Sequence, residues 1–314
     1  MNSFQLIVMW PLLWVLVLGG SGARAQSDDT DPEFKGPPTG EGWMGRVADT
    51  VSLAALNLPG THNSGARYEP FPNTARCQTL SIPKQLEAGV RFLDIRCRHD
   101  QDQFNIFHGP IDQRLTFAQV VKDLVAFLSR NPRETLIVSI KQEHRSQAVT
   151  RSFPQTLQSY IDQNPTAWYT KTSIPQLRAV RGKIVLLRRF PGVQALGIPA
   201  TDWGHDGFHQ GKRLFIQDRF QVSSADSKWR IFEKAIQHSL ADQSMNRLHL
   251  HFASGYTQNF LGIPNITSVS TPVNRKLAEY LNGAAVRHHG CLVLDFITAD
   301  LAKAIYSLNF HRPK

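Results

Sequence analysis

Two histidines in this 314-residue chain sit among turn-forming residues: His62 in LNLPGTHNSGA (56–66) and His108 in FNIFHGP (104–110). Elsewhere, apolar runs end in ionisable residues. Asp94 and Arg96 close VRFLDIRC, Lys141 and Glu143 follow TLIVSI, and Arg188 and Arg189 end KIVLLRR. Asp218 lies in RLFIQDRF and Asp295 in CLVLDFI. Two histidines supply a general base and a general acid. Arginine and lysine supply donors to a phosphate or an oxyanion. Together they read as phosphodiester cleavage by two-histidine acid–base catalysis, with cations stabilising phosphoryl charge. Other chemistries lack their signatures: there is no nucleophile elbow, no P-loop and no H-E-x-x-H. Ser64 neighbours His62, but sequence neighbours seldom face each other as nucleophile and base, so a serine hydrolase is not expected.

These residues must be brought together by the elements that carry them. Strands are expected at LAALNL (53–58), VRFLDIRC (90–97), TLIVSI (135–140), KIVLLRR (183–189), RLFIQDRF (213–220), LHLHFA (248–253) and CLVLDFI (291–297). They are near-continuously apolar, as strands buried on both faces should be. The Pro59-Gly60 pair is expected to end the first strand and to place His62. Between the strands lie helical patterns. Thr116 caps FAQVVKDLVAFLSR, which stops at Asn131-Pro132. Ser227 caps KWRIFEKAIQHSLADQ, and Pro272 falls in the first turn of VNRKLAEYLNG, which ends near Gly283. Alternating strands and helices imply a parallel α/β sheet. Seven or eight units in about 270 residues fit a closed (β/α)8 barrel of the TIM type. The C-terminal strand ends of such a barrel meet on one face, and Asp94 and Arg96, two apart, point the same way.

Residues 1–25 read as a signal peptide. An apolar run broken by Pro11 leads to Gly-Gly-Ser-Gly and then Ala23-Arg24-Ala25, an A-x-A cleavage pattern, although no Lys or Arg precedes the run. Residues 26–42, rich in Pro, Gly and polar residues, read as a flexible leader to one domain spanning 43–314. The expected location is extracellular. The formal net charge of +10 favours anionic surfaces, though the basic residues form no long run. The three cysteines, Cys77, Cys97 and Cys291, allow one disulfide, with Cys77–Cys97 preferred, and show no metal-site spacing. Asn265-Ile266-Thr267 is an N-x-T glycosylation sequon.

The motifs, taken in order, resemble the phosphatidylinositol-specific phospholipases C of the single-domain bacterial type, built on the X domain. LPGTHNSG, VRFLDIRCR, FHGP, NPRETLIVSIKQE, RGKIVLLRRF, IQDRFQV and GCLVLDFI follow the family's order over residues 45–310. The resemblance implies a distorted (β/α)8 barrel. It also implies that His62 is the general base on the inositol 2-hydroxyl, which attacks phosphorus from within the substrate. Asp295 would orient His62 and stabilise its charged form. His108 would be the general acid on the diacylglycerol oxygen, and Arg96 would bind the phosphate. Lys141, Arg189 and Asp218 would hydrogen-bond the inositol hydroxyls. The products would be diacylglycerol and a cyclic inositol phosphate. The implied partner is a phosphatidylinositol-containing membrane surface, met peripherally by a monomer, with no nucleic acid involved.

Arg96 bears on the cofactor. The family's calcium-dependent relatives carry a carboxylate there; a guanidinium supplies the charge itself, so no metal is expected. Asn63 and Asp94 could offer two oxygen ligands, fewer than the 6–8 calcium takes. Two positions depart from the bacterial pattern. Asn63 replaces an aspartate that backs the acid histidine and the arginine, which should lower the His108 pKa. Asparagine is also what the calcium enzymes carry there, so calcium assistance stays open. Phe220 replaces a tyrosine that stacks on inositol and keeps the stacking face. Phe71, Trp203 and Phe208 are candidates to enter a bilayer. Two further readings stay open: a related diesterase cutting glycerophosphodiesters or protein-linked lipid anchors, and a non-catalytic inositide- or glycan-binding protein on the same barrel.

Overall fold

The computed structural model describes residues 39–192, 195–242, 244–283 and 287–310. The expected signal peptide and most of the expected leader lie outside them. In chain order the strands are β1 (Leu58–Thr61), β2 (Phe92–Asp100), β3 (Gln103–His108), β4 (Ile111–Thr116), β5 (Thr135–Gln142), β6 (Trp168–Tyr169) and β7 (Lys183–Arg189). They continue with β8 (Ile198–Pro199), β9 (Gly207–Gln210), β10 (Leu214–Asp218), β11 (Leu248–Phe252), β12 (Thr257–Gln258), β13 (Pro264–Asn265) and β14 (Cys291–Leu294). The helices are α1 (Ile82–Ala88), α2 (Phe117–Arg130), α3 (Phe153–Gln163), α4 (Ala225–Ala241), α5 (Thr267–Gly283) and α6 (Ala299–Ser307).

Parallel pairing joins β6, β7, β5, β2, β1, β14, β11 and β10 in that order, and antiparallel β9 extends the sheet beyond β10. The result is a distorted (β/α)8-type barrel. Among the described residues no ladder joins β9 or β10 to β6 or β8. Trp203 bridges that seam instead: its indole Nε1 donates to Asp218 on β10 at 3.0 Å, and the Arg189 guanidinium of β7 lies over its ring at 3.6 Å.

Side chains alternate along each strand between two apolar layers. One layer fills the barrel: Leu58, Phe92, Ile137, Val185, Leu187, Ile216, Leu250, Phe252, Cys291 and Val293. The other packs under the helices: Leu93, Ile95, Leu136, Val138, Ile184, Leu186 and Leu292, against residues such as Val120, Leu124 and Phe232. Every other residue therefore looks inward. Continuing that step toward the C-terminal ends gives His62 after Gly60, Arg96 after Asp94, Lys141 after Ser139, Arg189 after Leu187, Asp218 after Ile216, and Asp295 after Val293.

Several expected boundaries move. The first strand begins at Leu58, because Leu53–Ala55 is a 3-10 turn in which the Ser52 hydroxyl accepts from Ala54 N–H and the Leu53 N–H donates to the Pro175 carbonyl. Pro59 and Gly60 lie inside β1 and do not end it. Gly60 faces the packed barrel, where a Cβ would meet Cys291 Sγ, Phe92 Cδ1 and Val293 Cγ2, each at 3.1 Å. The turn instead uses Asn63 at φ 44°, a left-handed conformation that asparagine tolerates. α2 is capped by Thr116 in a full capping box. α4 is capped by Ser224, three residues before the expected Ser227, and Ser227 donates its N–H to that cap. α5 begins at Thr267, so Pro272 is inside the helix; the Asn265 side chain holds its start by accepting from Ser268 N–H.

The end of the expected leader is docked, not flexible. Arg91, fully buried, donates to the carbonyls of Gly40 and Glu41 at 2.8 Å each and pairs with buried Glu134. Glu134 in turn accepts from the Met44 and Gly45 N–H groups. The expected Cys77–Cys97 disulfide is not formed, and all three cysteines are free thiols. Each occupies a different layer: Cys77 lies under the loop at Ala66 and Ile266, Cys97 under the helices, and Cys291 in the barrel interior.

Candidate functional site

At the C-terminal end of the barrel, a cavity of about 230 Å³ is lined by His62, Arg96, His108, Lys141, Arg189, Asp218, Phe220 and Asp295, among others. Asn63 and Asp94 lie buried beneath it, 1% and 0% exposed. The local folding explains each placement. β1 delivers His62 into a turn tied to β2: Ser64 N–H donates to the Asp94 carbonyl, and the Ser64 hydroxyl accepts from Asp94 N–H, both at 2.9 Å. Buried Gln78 donates to the carbonyls of His62 and Leu294, locking β1 to β14 next to Asp295. His108 ends β3 of the β3–β4 hairpin, an element without a counterpart among the expected strands.

The two histidines stand edge to face, with ring centroids 6.3 Å apart and planes at 88°. His62 Nδ1 meets Asp295 Oδ1 at 2.7 Å, and its Nε2 meets Arg96 Nη2 at 3.0 Å. A guanidinium can only donate, so Nε2 accepts and the proton sits on Nδ1 toward the carboxylate. His62 is thus a neutral imidazole whose lone pair faces the cavity. His108 Nδ1 donates to the Ala75 carbonyl at 2.7 Å, which leaves Nε2 for a substrate.

Arg96 is the hub. Its Nε donates to Asp94 Oδ2 at 3.1 Å, and Nη1 lies 3.7 Å from Glu143 Oε1. Burial alone would raise the Asp94 carboxyl; Arg96, then Arg189 and His62, override it and hold it at about 2. Glu143 is likewise held at about 2 against burial, by Arg96 and Lys141. Lys141, 2.7 Å from Glu143, has its pKa lowered by burial and by repulsion from Arg96. Burial, with Arg96 and His62 adding to it, pushes His108 down to about 4, while its bond to Ala75 opposes the fall. The direction matches that expected from Asn63, but the dominant cause is burial. The Asn63 amide nitrogen is itself buried without a hydrogen-bond partner.

On the far wall, Arg189 Nη2 donates to Asp218 Oδ2 at 3.3 Å. Arg188, next in sequence, faces away and donates to the backbone carbonyls of Leu196 and Phe190. Phe220 packs between His205 and Tyr256, with centroids at 5.0 and 5.9 Å. Glu143, Gly109, His205, Tyr256 and Ile266 join the lining. The strand-end pattern pointed at Glu143. No local signal marked Tyr256 or Ile266, whose loop follows β11. Trp203, a candidate for bilayer contact, is 7% exposed and belongs to the wall under Arg189.

A neutral imidazole backed by a carboxylate, a second imidazole across from it, a guanidinium between, and a polar far wall define a barrel phosphodiesterase site of the two-histidine type. The comparisons sharpen that class. Residues 69–190 match the family described as "Phosphatidylinositol-specific phospholipase C, X domain". The chain is 32% identical over 304 residues to the 1-phosphatidylinositol phosphodiesterase of Listeria monocytogenes, covering 92% of this chain and 91% of that one. It is 24% identical to the Staphylococcus aureus protein of the same name, over 90% and 91% of the two chains. Among solved structures, the phospholipase C of Listeria monocytogenes superposes with a TM-score of 0.73 at 28% identity, over 87% of this chain and 100% of that one. A Staphylococcus aureus phospholipase C structure superposes at 0.78 and shares the fold, at 24% identity over 86% and 98%. The chain belongs to the phosphatidylinositol-specific phospholipase C family.

Proposed function

We propose that this protein cleaves phosphatidylinositol to diacylglycerol and inositol 1,2-cyclic phosphate. The observation that carries the reading is the His62–Arg96–His108 constellation, with Asp295 behind His62. His62 Nε2 takes the proton of the inositol 2-hydroxyl, and the alkoxide oxygen forms a bond to phosphorus. Arg96 turns its donors from His62 to the phosphate oxygens and compensates the charge that builds there. His108 Nε2, protonated, gives its proton to the departing diacylglycerol oxygen as the P–O bond breaks. Asp295 stabilises the imidazolium formed at His62. Lys141, Arg189 and Asp218 hold the ring hydroxyls, and Phe220 offers a stacking face. The reaction needs no metal in this reading, because the Arg96 guanidinium lies between Asp94 and Glu143 and supplies the positive charge there.

The lipid must be taken from a surface. Phe71, Val149, Phe260, Leu261 and Ile263 are exposed large apolar residues in connections that follow the barrel strands at this end, Phe260 at 94%, and Phe208 is exposed on β9. Phe260 and Leu261 lie in the connection between β12 and β13, a better placed pair than Trp203 for entering a bilayer. Among the described residues no helix is long and apolar enough to cross a membrane, and contact is peripheral in this reading. The test is phosphatidylinositol cleavage with and without chelator, on wild type, His62→Ala and Arg96→Ala, with phosphorus NMR to detect the cyclic product. Wild-type activity that survives chelator and is lost in both variants is expected. An inactive wild type refutes the enzyme reading, and loss in chelator refutes the metal-free one.

A further inference from the structure

Cys77 takes no part in the reaction proposed above, yet its sulfur is set against both histidines. Sγ lies 3.7 Å from His108 Nδ1. The Cys77 sulfur, a His62 ring nitrogen and an Asp295 carboxylate oxygen all lie within 4.8 Å of one another. Cys77 and Asp295 are buried, at 0% and 1% exposure. Thiolate, imidazole and carboxylate together form a donor set suited to zinc, and three protein ligands with one open position is a recurrent zinc arrangement. We infer that Cys77, His62 and Asp295 form a binding site for a divalent cation of the zinc class, and that filling it switches the enzyme off.

The spacing is close to what such an ion needs. Bond lengths of about 2.0–2.3 Å place tetrahedral ligand atoms roughly 3.3–3.6 Å apart. His62 Nδ1 and Asp295 Oδ1, now 2.7 Å apart, part slightly, and the sulfur closes toward them. Protons balance the exchange. The metal takes Nδ1, the His62 proton moves to Nε2, and the thiol loses its proton, so one proton leaves and affinity rises with pH. Thiolate and carboxylate then neutralise the divalent charge. The ion enters on the Nδ1 side of His62, opposite Arg96; the proton then on Nε2 faces the Arg96 donor, now 3.0 Å away, which must turn aside. Sulfur is a poor ligand for magnesium and calcium, which the site should reject.

The inhibition rests on the base role proposed for His62; the binding does not. With a metal on Nδ1, His62 can no longer become an imidazolium hydrogen-bonded to Asp295, and proton uptake at Nε2 is suppressed.

The test has two readouts on the intact chain. In the first, cleavage is titrated with Zn²⁺ and Cd²⁺, and with Mg²⁺ and Ca²⁺, for wild type, Cys77→Ala and Cys77→Ser. Loss of an outer-sphere partner alone lowers metal affinity about 10–100-fold, so loss of the sulfur ligand should shift the Zn²⁺ inhibition curve by ~100-fold or more. Chelator should restore the wild type. In the second, Co²⁺ added to wild type should give a thiolate-to-cobalt charge-transfer absorption that both variants lack. That readout holds whether or not the chain cleaves phosphatidylinositol. Equal Zn²⁺ sensitivity in wild type and variants overturns the proposal. So does equal inhibition by Mg²⁺, or absence of the cobalt–thiolate band in wild type.

Discussion

Replacing Asp295 with asparagine isolates one charge in the proposed mechanism. Asp295 is 1% exposed and its Oδ1 lies 2.7 Å from His62 Nδ1. When His62 takes a proton, the two become an ion pair. At that distance, with an effective dielectric constant of about 20, the attraction is about 6 kcal/mol. Asparagine keeps a dipole at the same place, so part of this remains, and about 3–4 kcal/mol should be lost from the transition state. That corresponds to roughly 10²–10³-fold in kcat. The change also disturbs the tautomer. An amide nitrogen facing Nδ1 favours the proton on Nε2, where it opposes the Arg96 donor now 3.0 Å away. Steady-state cleavage of dispersed phosphatidylinositol, with kcat and KM separated, gives the measurement, and a thermal melt confirms that the variant is folded. A kcat within about fivefold of wild type would refute the claim that Asp295 stabilises a charged His62, because at most about 1 kcal/mol would then separate the two.

Other predictions rest on other features. The limb of the kcat/KM profile that falls with rising pH reports loss of the His108 proton, so with this pKa lowered to about 4 it should begin well below pH 6.5. Asn63→Asp, adding a negative charge beneath the site, should move that limb to higher pH; an unmoved limb would contradict the role given to position 63. Away from the site, His288, 8% exposed, is pushed down to about 4, mainly by burial and then by His249. A histidine with a lowered folded pKa contributes stability that is fully present above its unfolded pKa of about 6.5 and is lost as pH falls toward 4. From pH 7.5 to pH 5, His288 alone should remove about 2 kcal/mol. Urea melts at the two pH values should show a smaller loss for His288→Gln, and equal losses would count against it. Glu134→Ala strands the buried Arg91 charge and should destabilise by about 3–5 kcal/mol, read as a fall in the urea midpoint. Phe260→Ser with Leu261→Ser should weaken vesicle binding by tenfold or more, since burying each apolar side chain is worth about 1.5–3 kcal/mol; unchanged binding in a sedimentation assay would remove that loop from the interface.

The strand cores, and much of the site on them, are readable from residue types. Near-continuous apolar runs mark β5, β7 and β14, because strands covered on both faces have no polar side to show. The ionisable residue at a strand end identifies Arg96, Lys141, Arg189 and Asp218, because an inward position at the barrel rim cannot be filled by an apolar side chain without closing the cavity. Other features depend on contacts between residues far apart in sequence. The role of Gly60 is legible only once Phe92, Cys291 and Val293 are seen to crowd it. Trp203 reads as a loop aromatic until β7 and β10 place Arg189 and Asp218 on either side of it. The tautomer of His62 is decided by Asp295, 233 positions away, and by Arg96, 34 away. The His108 pKa follows from burial that no local stretch records, and the thiol of Cys77 meets His62 and Asp295 only through the loop that folds over the barrel mouth. Residue type and two-residue alternation are local properties, which a chain carries in its order. Hydrogen-bond direction, burial and the company a side chain keeps are properties of the closed barrel, and tertiary structure decided them.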